Sequence, residues 1–239
     1  MRIQHCLCGL MVMAACAVVQ AGSIGINFVG GKPDSQSLAA GDKAGLSEVA
    51  QDHWNNLTIS KSDPNGHRNK STLDRVHDDA GQTVPDMKVT VDATQTTQVW
   101  PANGASWGFS GADLTLQSGE VYPQPRITIS HIPYASYQVI LYAAAGRNGG
   151  QGSATITVAQ GAPGKVDPAG TYFYKLNWQG GKFIVSRAKT LEQAQASKGS
   201  NCIRFTGNTA KSITIEWNGK AGGGWTGCSG LQIVELHLP

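Results

Sequence analysis

The sequence predicts an all-β protein: an antiparallel β-sandwich with a long N-terminal loop region and at most short helical turns. Three observations lead there. From Met87 onward, short runs rich in Val, Ile, Thr and Tyr are separated by Gly, Pro, Asn or Ser, the pattern of strands joined by turns. The period of two is clean at Ile127 and Ile129 and again at Ile213, Ile215 and Trp217, with polar residues filling the gaps, so each of these segments buries one face. Beyond the N-terminal apolar run, no stretch sustains a helical apolar period over three turns, which argues against folds whose parallel strands need helical crossovers.

Taken in order, the chain opens with Arg2, an apolar run from Leu7 to Val19, and Val19-Gln20-Ala21, which puts small residues at the two positions a signal peptidase inspects. This reads as a signal peptide over residues 1–21, cleaved after Ala21, and it places the protein outside the cell, on its surface or in a periplasm. The apolar run is shorter than the roughly 20 residues a transmembrane helix needs. A lipid anchor on Cys16 is the lesser alternative, because Met13 stands where such signals usually carry Leu. Residues 22–239 have a length suited to a single β-sandwich domain. Strands are expected at Ser23–Val29, Met87–Ala93, Asp113–Gln117, Arg126–His131, Tyr137–Ala143, Ala154–Ala159, Thr171–Leu176, Lys182–Ser186, Asn201–Thr206, Ser212–Trp217 and Leu231–Leu238. Thr190–Ser197 has the composition for a turn or two of helix. The segment from Lys32 to Pro85 is rich in Asp, Asn, His, Lys and Gly and is expected to be a long loop, pinned to the core by Trp54.

Charged residues make up 15% of the chain and the net charge is +3 with no basic block, so nucleic acid has no electrostatic footprint here. Cys6, Cys8 and Cys16 belong to the leader, which leaves Cys202 and Cys228 as the mature pair. In an exported chain they are expected to form a disulfide. Closing a loop of about 25 residues in this way would contribute on the order of 3 kcal/mol.

Ser23-Ile24-Gly25-Ile26-Asn27-Phe28-Val29-Gly30-Gly31, Trp54-Asn55-Asn56, Ile132-Pro133-Tyr134-Ala135-Ser136-Tyr137 and the closing Gly230-Leu231-Gln232-Ile233-Val234 together resemble exported β-sandwich domains of environmental bacteria. Those domains are similar to galactose-binding and carbohydrate-binding-module jelly rolls, and the resemblance covers nearly all of the mature chain. It implies a jelly-roll-like sandwich in which Ile24–Val29 and Leu231–Leu238 lie side by side. It also implies a structural calcium as a possible cofactor, although no motif here supplies its ligands.

Sugar-binding sites pack the apolar face of a pyranose on an aromatic ring and bond its hydroxyls with nearby amides and guanidinium groups. Trp100, Trp107 and Trp225 lie among glycines, away from alternating apolar runs, and are the candidate stacking residues; core packing is the ordinary alternative for each. Trp54 and Trp217 belong to the core. Arg147 and Asn148, in the Gly-rich connection after Tyr142, are candidate polar contacts, or else an ordinary hairpin turn. Asp74-Arg75-Val76-His77-Asp78-Asp79 and Asp52-His53 are the dense Asp/His groups, but they lack the ligand spacing of an EF-hand or zinc site. No nucleophile elbow, phosphate loop or paired-carboxylate motif stands out. The expected function is therefore a non-catalytic exported binding module for a glycan. The alternatives are a structural or assembly protein contacting cell-envelope or matrix components, and a polysaccharide-active enzyme.

Overall fold

The structure is a computed structural model that describes residues 22–29, 37–59, 69–93, 98–99, 108–122, 124–145, 149–177, 179–220 and 226–237. In chain order these form β1 (Ser23–Val29), β2 (Asn55–Thr58), β3 (Asn69–Leu73), β4 (Val76–His77), β5 (Thr83–Val84), β6 (Lys88–Ala93) and β7 (Gln98–Val99). Helix α1 (Gly111–Leu116) follows, then β8 (Gly119–Glu120), β9 (Arg126–Ser130), β10 (Tyr137–Ala144), β11 (Gln151–Val158), β12 (Thr171–Lys175) and β13 (Val185–Ser186). Helix α2 (Leu191–Ala196), β14 (Cys202–Asn208), β15 (Ile213–Asn218) and β16 (Gly227–Glu235) complete the order.

Two six-stranded sheets face one another. The first runs β13-β14-β10-β16-β1-β2 and the second β12-β11-β15-β9-β6-β3, with β4-β5 and β7-β8 as separate two-stranded ribbons. The second sheet is antiparallel throughout; in the first, β1-β2 and β13-β14 pair in parallel. The alternation seen in the sequence builds the core. Ile24, Ile26 and Phe28 of β1, Leu141 of β10, and Leu231 and Ile233 of β16 meet Val89, Val91, Ile127, Ile129, Ile213, Ile215 and Trp217 of the second sheet in one buried cluster. The expected pairing of the chain ends holds: β1 lies antiparallel to β16, with Ile24 opposite Ile233 and Ile26 opposite Leu231.

The first sheet is buried on both faces along its central strands, as the unbroken burial of β1 and β10 shows. Its outer side carries a second cluster in which Leu38, Ala44, Leu46 and Trp54, together with Leu116 of α1, cover Ile140, Tyr142, Cys202 and Val234. Trp54 thus pins its segment to the fold, as expected, but on the outer face of a sheet rather than between the sheets. The region around it is not one long loop, since β2 to β5 fall within Lys32–Pro85. Leu57, Val76 and Val84 of these strands join the main core, and their polar residues pair through the backbone and through side-chain amides. Asn55 donates to the carbonyls of Gly25 (2.9 Å) and His77 (2.8 Å) and accepts from His77 N–H. Asn56 brackets Leu38, accepting from its N–H at 3.0 Å and donating to its carbonyl at 2.8 Å.

Two further expectations need correction. Asp113–Gln117 is not a strand: residues 111–116 form α1, with Gln117 N–H bonded to Asp113 O at 3.1 Å. Leu114 packs against the main core and Leu116 in the outer cluster, opposite directions that residues two apart take in a helix. Cys202 and Cys228 are not joined by a disulfide; both are buried free thiols. Cys202 lies opposite Tyr142, and Cys228 opposite Ala143, on the two flanks of β10. That separates them by about 10 Å, two strand spacings, where a disulfide needs Cα atoms within about 7 Å. They also point to opposite faces, Cys202 into the outer cluster and Cys228 into the main core. Helix α2 fulfils the expectation at Thr190–Ser197, with the Thr190 side chain capping it by accepting from Gln193 N–H at 3.3 Å.

Candidate functional site

The five ligand-binding residues expected from the sequence, Trp100, Trp107, Trp225, Arg147 and Asn148, lie outside the described residues. What the structure does describe is a difference between the two sheets. The outer face of the first is covered over its central strands, whereas the outer face of the second is polar and open to solvent.

That face follows from the alternation itself. On β6, β9, β15 and β11 the apolar residues point into the core, so the polar residues between them must point out. Cross-strand register then sorts them into rows. Thr72, Thr90, Thr128, Thr214 and Thr157 lie opposite one another on β3, β6, β9, β15 and β11. The neighbouring row is Lys70, Asp92, Arg126, Glu216, Thr155 and Thr171. Side chains within a row recur at about 4.8 Å and the two rows are about 7 Å apart, the spacings set by strand pairing and by two residues of strand rise. Thr72 and Thr157 are exposed; Thr90, Thr128 and Thr214 are half-buried.

The second row alternates in charge. Arg126 donates from Nη2 and Nε to Glu216 Oε1 at 2.7 and 3.2 Å, with both side chains more than half exposed. Such an exposed pair contributes under about 1 kcal/mol to stability, and its main effect here is to fix two long side chains on a flat surface. Thr155 and Thr171 share a hydroxyl hydrogen bond at 2.9 Å. The row lines a depression of about 340 Å³, bordered by Asp92, Gln124, Arg126, Ser153, Glu216 and Asn218, with Trp217 among its lining residues. Trp217 itself is a core residue, as expected: it is 2% exposed, its ring lies 5.0 Å from that of Tyr174, and its indole N–H donates to Thr226 O at 3.3 Å.

The other polar clusters have structural duties. Asp78 accepts from the N–H groups of Ala80 (3.1 Å) and Gln82 (2.8 Å) and so shapes the turn between β4 and β5. Asp74 pairs with Lys88 on the surface at 3.3 Å. His53 faces Asp79 O at 3.0 Å in a backbone conformation with φ of 53°. Among the described residues no group of three or more His, Cys, Asp or Glu is arranged to hold a metal ion. Under the outer cover, Tyr142 donates to Gln232 and accepts from Leu46 N–H at 2.9 Å, while Gln232 donates to Val49 O and to Gln51 Oε1. This network is closed to solvent, and burial pushes the Tyr142 phenol far above its usual range. The two thiols are similarly inert: burial pushes Cys228 up to about 12 and raises Cys202 strongly.

Sequence reasoning singled out loop aromatics and did not single out Arg126, Glu216, Asp92 or the threonines. Their signal was the polar filling of the alternating runs, but which fillings stand side by side depends on strand order and register. Comparison of the chain with protein-family models, with curated proteins and with solved structures finds no match.

Proposed function

We propose that this protein is an exported, non-catalytic module that binds a glycan on the open face of its second sheet, in the manner of the carbohydrate-binding jelly rolls it resembles. The observation that carries the reading is the pair of adjacent outward rows, of which the charged one lines the depression at Asp92, Arg126, Glu216 and Thr155. Hydroxyl, amide, guanidinium and carboxylate groups at a regular spacing suit the regularly spaced hydroxyls of a polymer. Threonine adds a methyl group that packs on the C–H face of a sugar. Lys70, Asp92, Arg126 and Glu216 cancel in charge, which favours a neutral polysaccharide over an acidic one. A binding role also fits the surroundings of the carboxylates. Asp92 and Glu216 stand on either side of Arg126 in one row, and the guanidinium engages the Glu216 carboxylate.

The test is retention of the protein on a panel of neutral and acidic polysaccharides, repeated with Thr128→Val, Thr214→Val and Arg126→Ala. The Val substitutions remove a hydroxyl while keeping shape and strand preference, so each should weaken binding several-fold, the loss of a hydrogen bond worth about 1 kcal/mol, with thermal stability nearly unchanged. Trp107→Ala and Trp225→Ala, in parallel, report on the loops. If only the Trp variants lose binding, the site belongs to the loops instead of the sheet. If the unaltered protein is retained by no polysaccharide, the glycan reading falls and assembly with other envelope proteins replaces it.

A further inference from the structure

At one edge of the sandwich, β13 and α2 come together. Past Ser186 the chain leaves β14 and meets β12, where Phe173 N–H donates to Ala188 O at 3.0 Å. Helix α2 is tied to the same strand, since Lys175 Nζ donates to Gln195 O at 3.1 Å. Between them lies a depression of about 360 Å³ bordered by Ser186, Arg187, Gln193, Ser197 and Ser200. It shares no residue with the depression at Arg126. The segment that follows α2 is fixed there: Ser200 N–H donates to Lys175 O at 2.7 Å, and Gly199, at φ of 105°, has no room for a Cβ against Asn177.

Two of the bordering side chains are committed. Ser186 Oγ donates to Phe173 O and accepts from Ala188 N–H at 3.3 Å, while Ser197 Oγ donates to Ala194 O at 2.7 Å and accepts from Gly199 N–H at 3.1 Å. The other three are not. Gln193 Oε1 accepts from Lys189 N–H at 2.7 Å, which fixes the amide so that its NH2 remains to donate. Arg187 is exposed and pairs with no described carboxylate. Ser200 is 4% exposed, and its hydroxyl has no hydrogen-bond partner among the described residues. What remains to bind is a guanidinium, an amide NH2 and a hydroxyl, all donors, and no carboxylate borders the depression. The surroundings have the same sign. Residues 175–198 hold five cations, Lys175, Lys182, Arg187, Lys189 and Lys198, against the single carboxylate of Glu192, which is turned to its own N–H and the Thr190 hydroxyl. Lys182 is brought to the depression by its carbonyl, which accepts from Asn201 Nδ2 at 3.0 Å, and Lys198 stands between two of the residues that line it. We propose that this depression binds an oxyanion, the carboxylate, phosphate or sulfate group of an acidic ligand. The Arg187 fork is its chief contact, since paired N–H donors match two oxygens, and the Gln193 amide and Ser200 hydroxyl complete the set. The exposed lysines raise the local concentration of anions. This site does not depend on the glycan reading of the open face.

Isotope-labelled protein, followed by amide NMR, is titrated with inorganic phosphate, inorganic sulfate, glucuronate and glucose-6-phosphate at fixed ionic strength, with chloride as the reference ion. The amides of Ser186, Arg187, Gln193, Gly199 and Ser200 should shift together and saturate with at least one of the four. Arg187→Gln should weaken that binding about ten-fold, the loss of a charge-assisted pair. Arg187→Lys, which keeps the charge but not the fork, should recover only part of it. Ser200→Ala should weaken binding several-fold without lowering the melting temperature, because a buried hydroxyl with no partner adds nothing to stability. Lys88→Gln, which removes one charge on β6, should leave the affinity unchanged. Tighter binding of the two sugar-borne anions places the oxyanion on a saccharide, whereas equal or tighter binding of the inorganic ions makes it a free one; either upholds the site. No saturation by any of the four, shifts spread over the whole surface, unaltered affinity in Arg187→Gln or Ser200→Ala, or an equal loss in Lys88→Gln overturns it. Saturation in a protein that no polysaccharide retains upholds this site and removes the glycan reading alone.

Discussion

At the residue scale, Gly25 shows why β1 carries no side chain at the outward position between Ile24 and Ile26. A Cβ there would lie 2.8 Å from two atoms of the Trp54 indole and 3.0 Å from the Gln51 side chain, so the strand is bare where the outer cover presses on it. Trp54 has no room to withdraw, being 5% exposed and bonded through its N–H to Gln51 O at 3.0 Å. Gly25→Ala should cost about 1–3 kcal/mol by overpacking, read as a drop in melting temperature of several degrees. Asp113 is a second sensitive residue. Its carboxylate accepts from Gly45 N–H at 2.9 Å, yet burial outweighs that bond and raises its pKa above 3.8. The charged form is thus disfavoured in the folded chain, and as pH rises past 3.8 the unfolded chain ionises first and stability is lost. Asp113→Asn keeps an acceptor for Gly45 without the charge. It should melt higher than the unaltered protein at pH 7, with the difference vanishing below the ordinary Asp value; equal melting curves across that range would refute the assignment.

At the element scale, what could be read in advance depended on whether a segment's pattern reflected one partner or two. β9 and β15 each bury one face and expose the other, and their boundaries and inward residues follow from Ile127, Ile129, Ile213 and Ile215 alone. β10 and β16 are buried on both faces, so alternation carries little about them, and the outer cluster they support was not foreseen. The α1 segment misled because Leu114 and Leu116, two apart, are as compatible with one face of a strand as with two sides of a helix. The cysteines misled for a similar reason: counting says that a pair exists, while only strand order reveals β10 between them. Denatured without reductant, the chain of residues 22–239 should therefore yield two titratable thiols, and native protein should react slowly because both are buried. Finding no free thiol after denaturation would restore the disulfide.

At the scale of the whole molecule, the sandwich and the pairing of its ends were legible, and the candidate surface was not. Arg126 and Glu216 are 90 residues apart in the chain and become partners only through the β9–β15 register. The strand order has one more consequence, for how the molecule comes into being. β16, the last strand, sits in the middle of the first sheet with β1 on one side and β10 on the other. Until it arrives, β1 and β10 have no shared neighbour, and the two inner faces cannot close on a core. Contacts between the first and last strands are the slowest kind to form, because the whole chain must be gathered first. A polypeptide built this way stays open while it is being synthesised, and locks only after β16 has emerged.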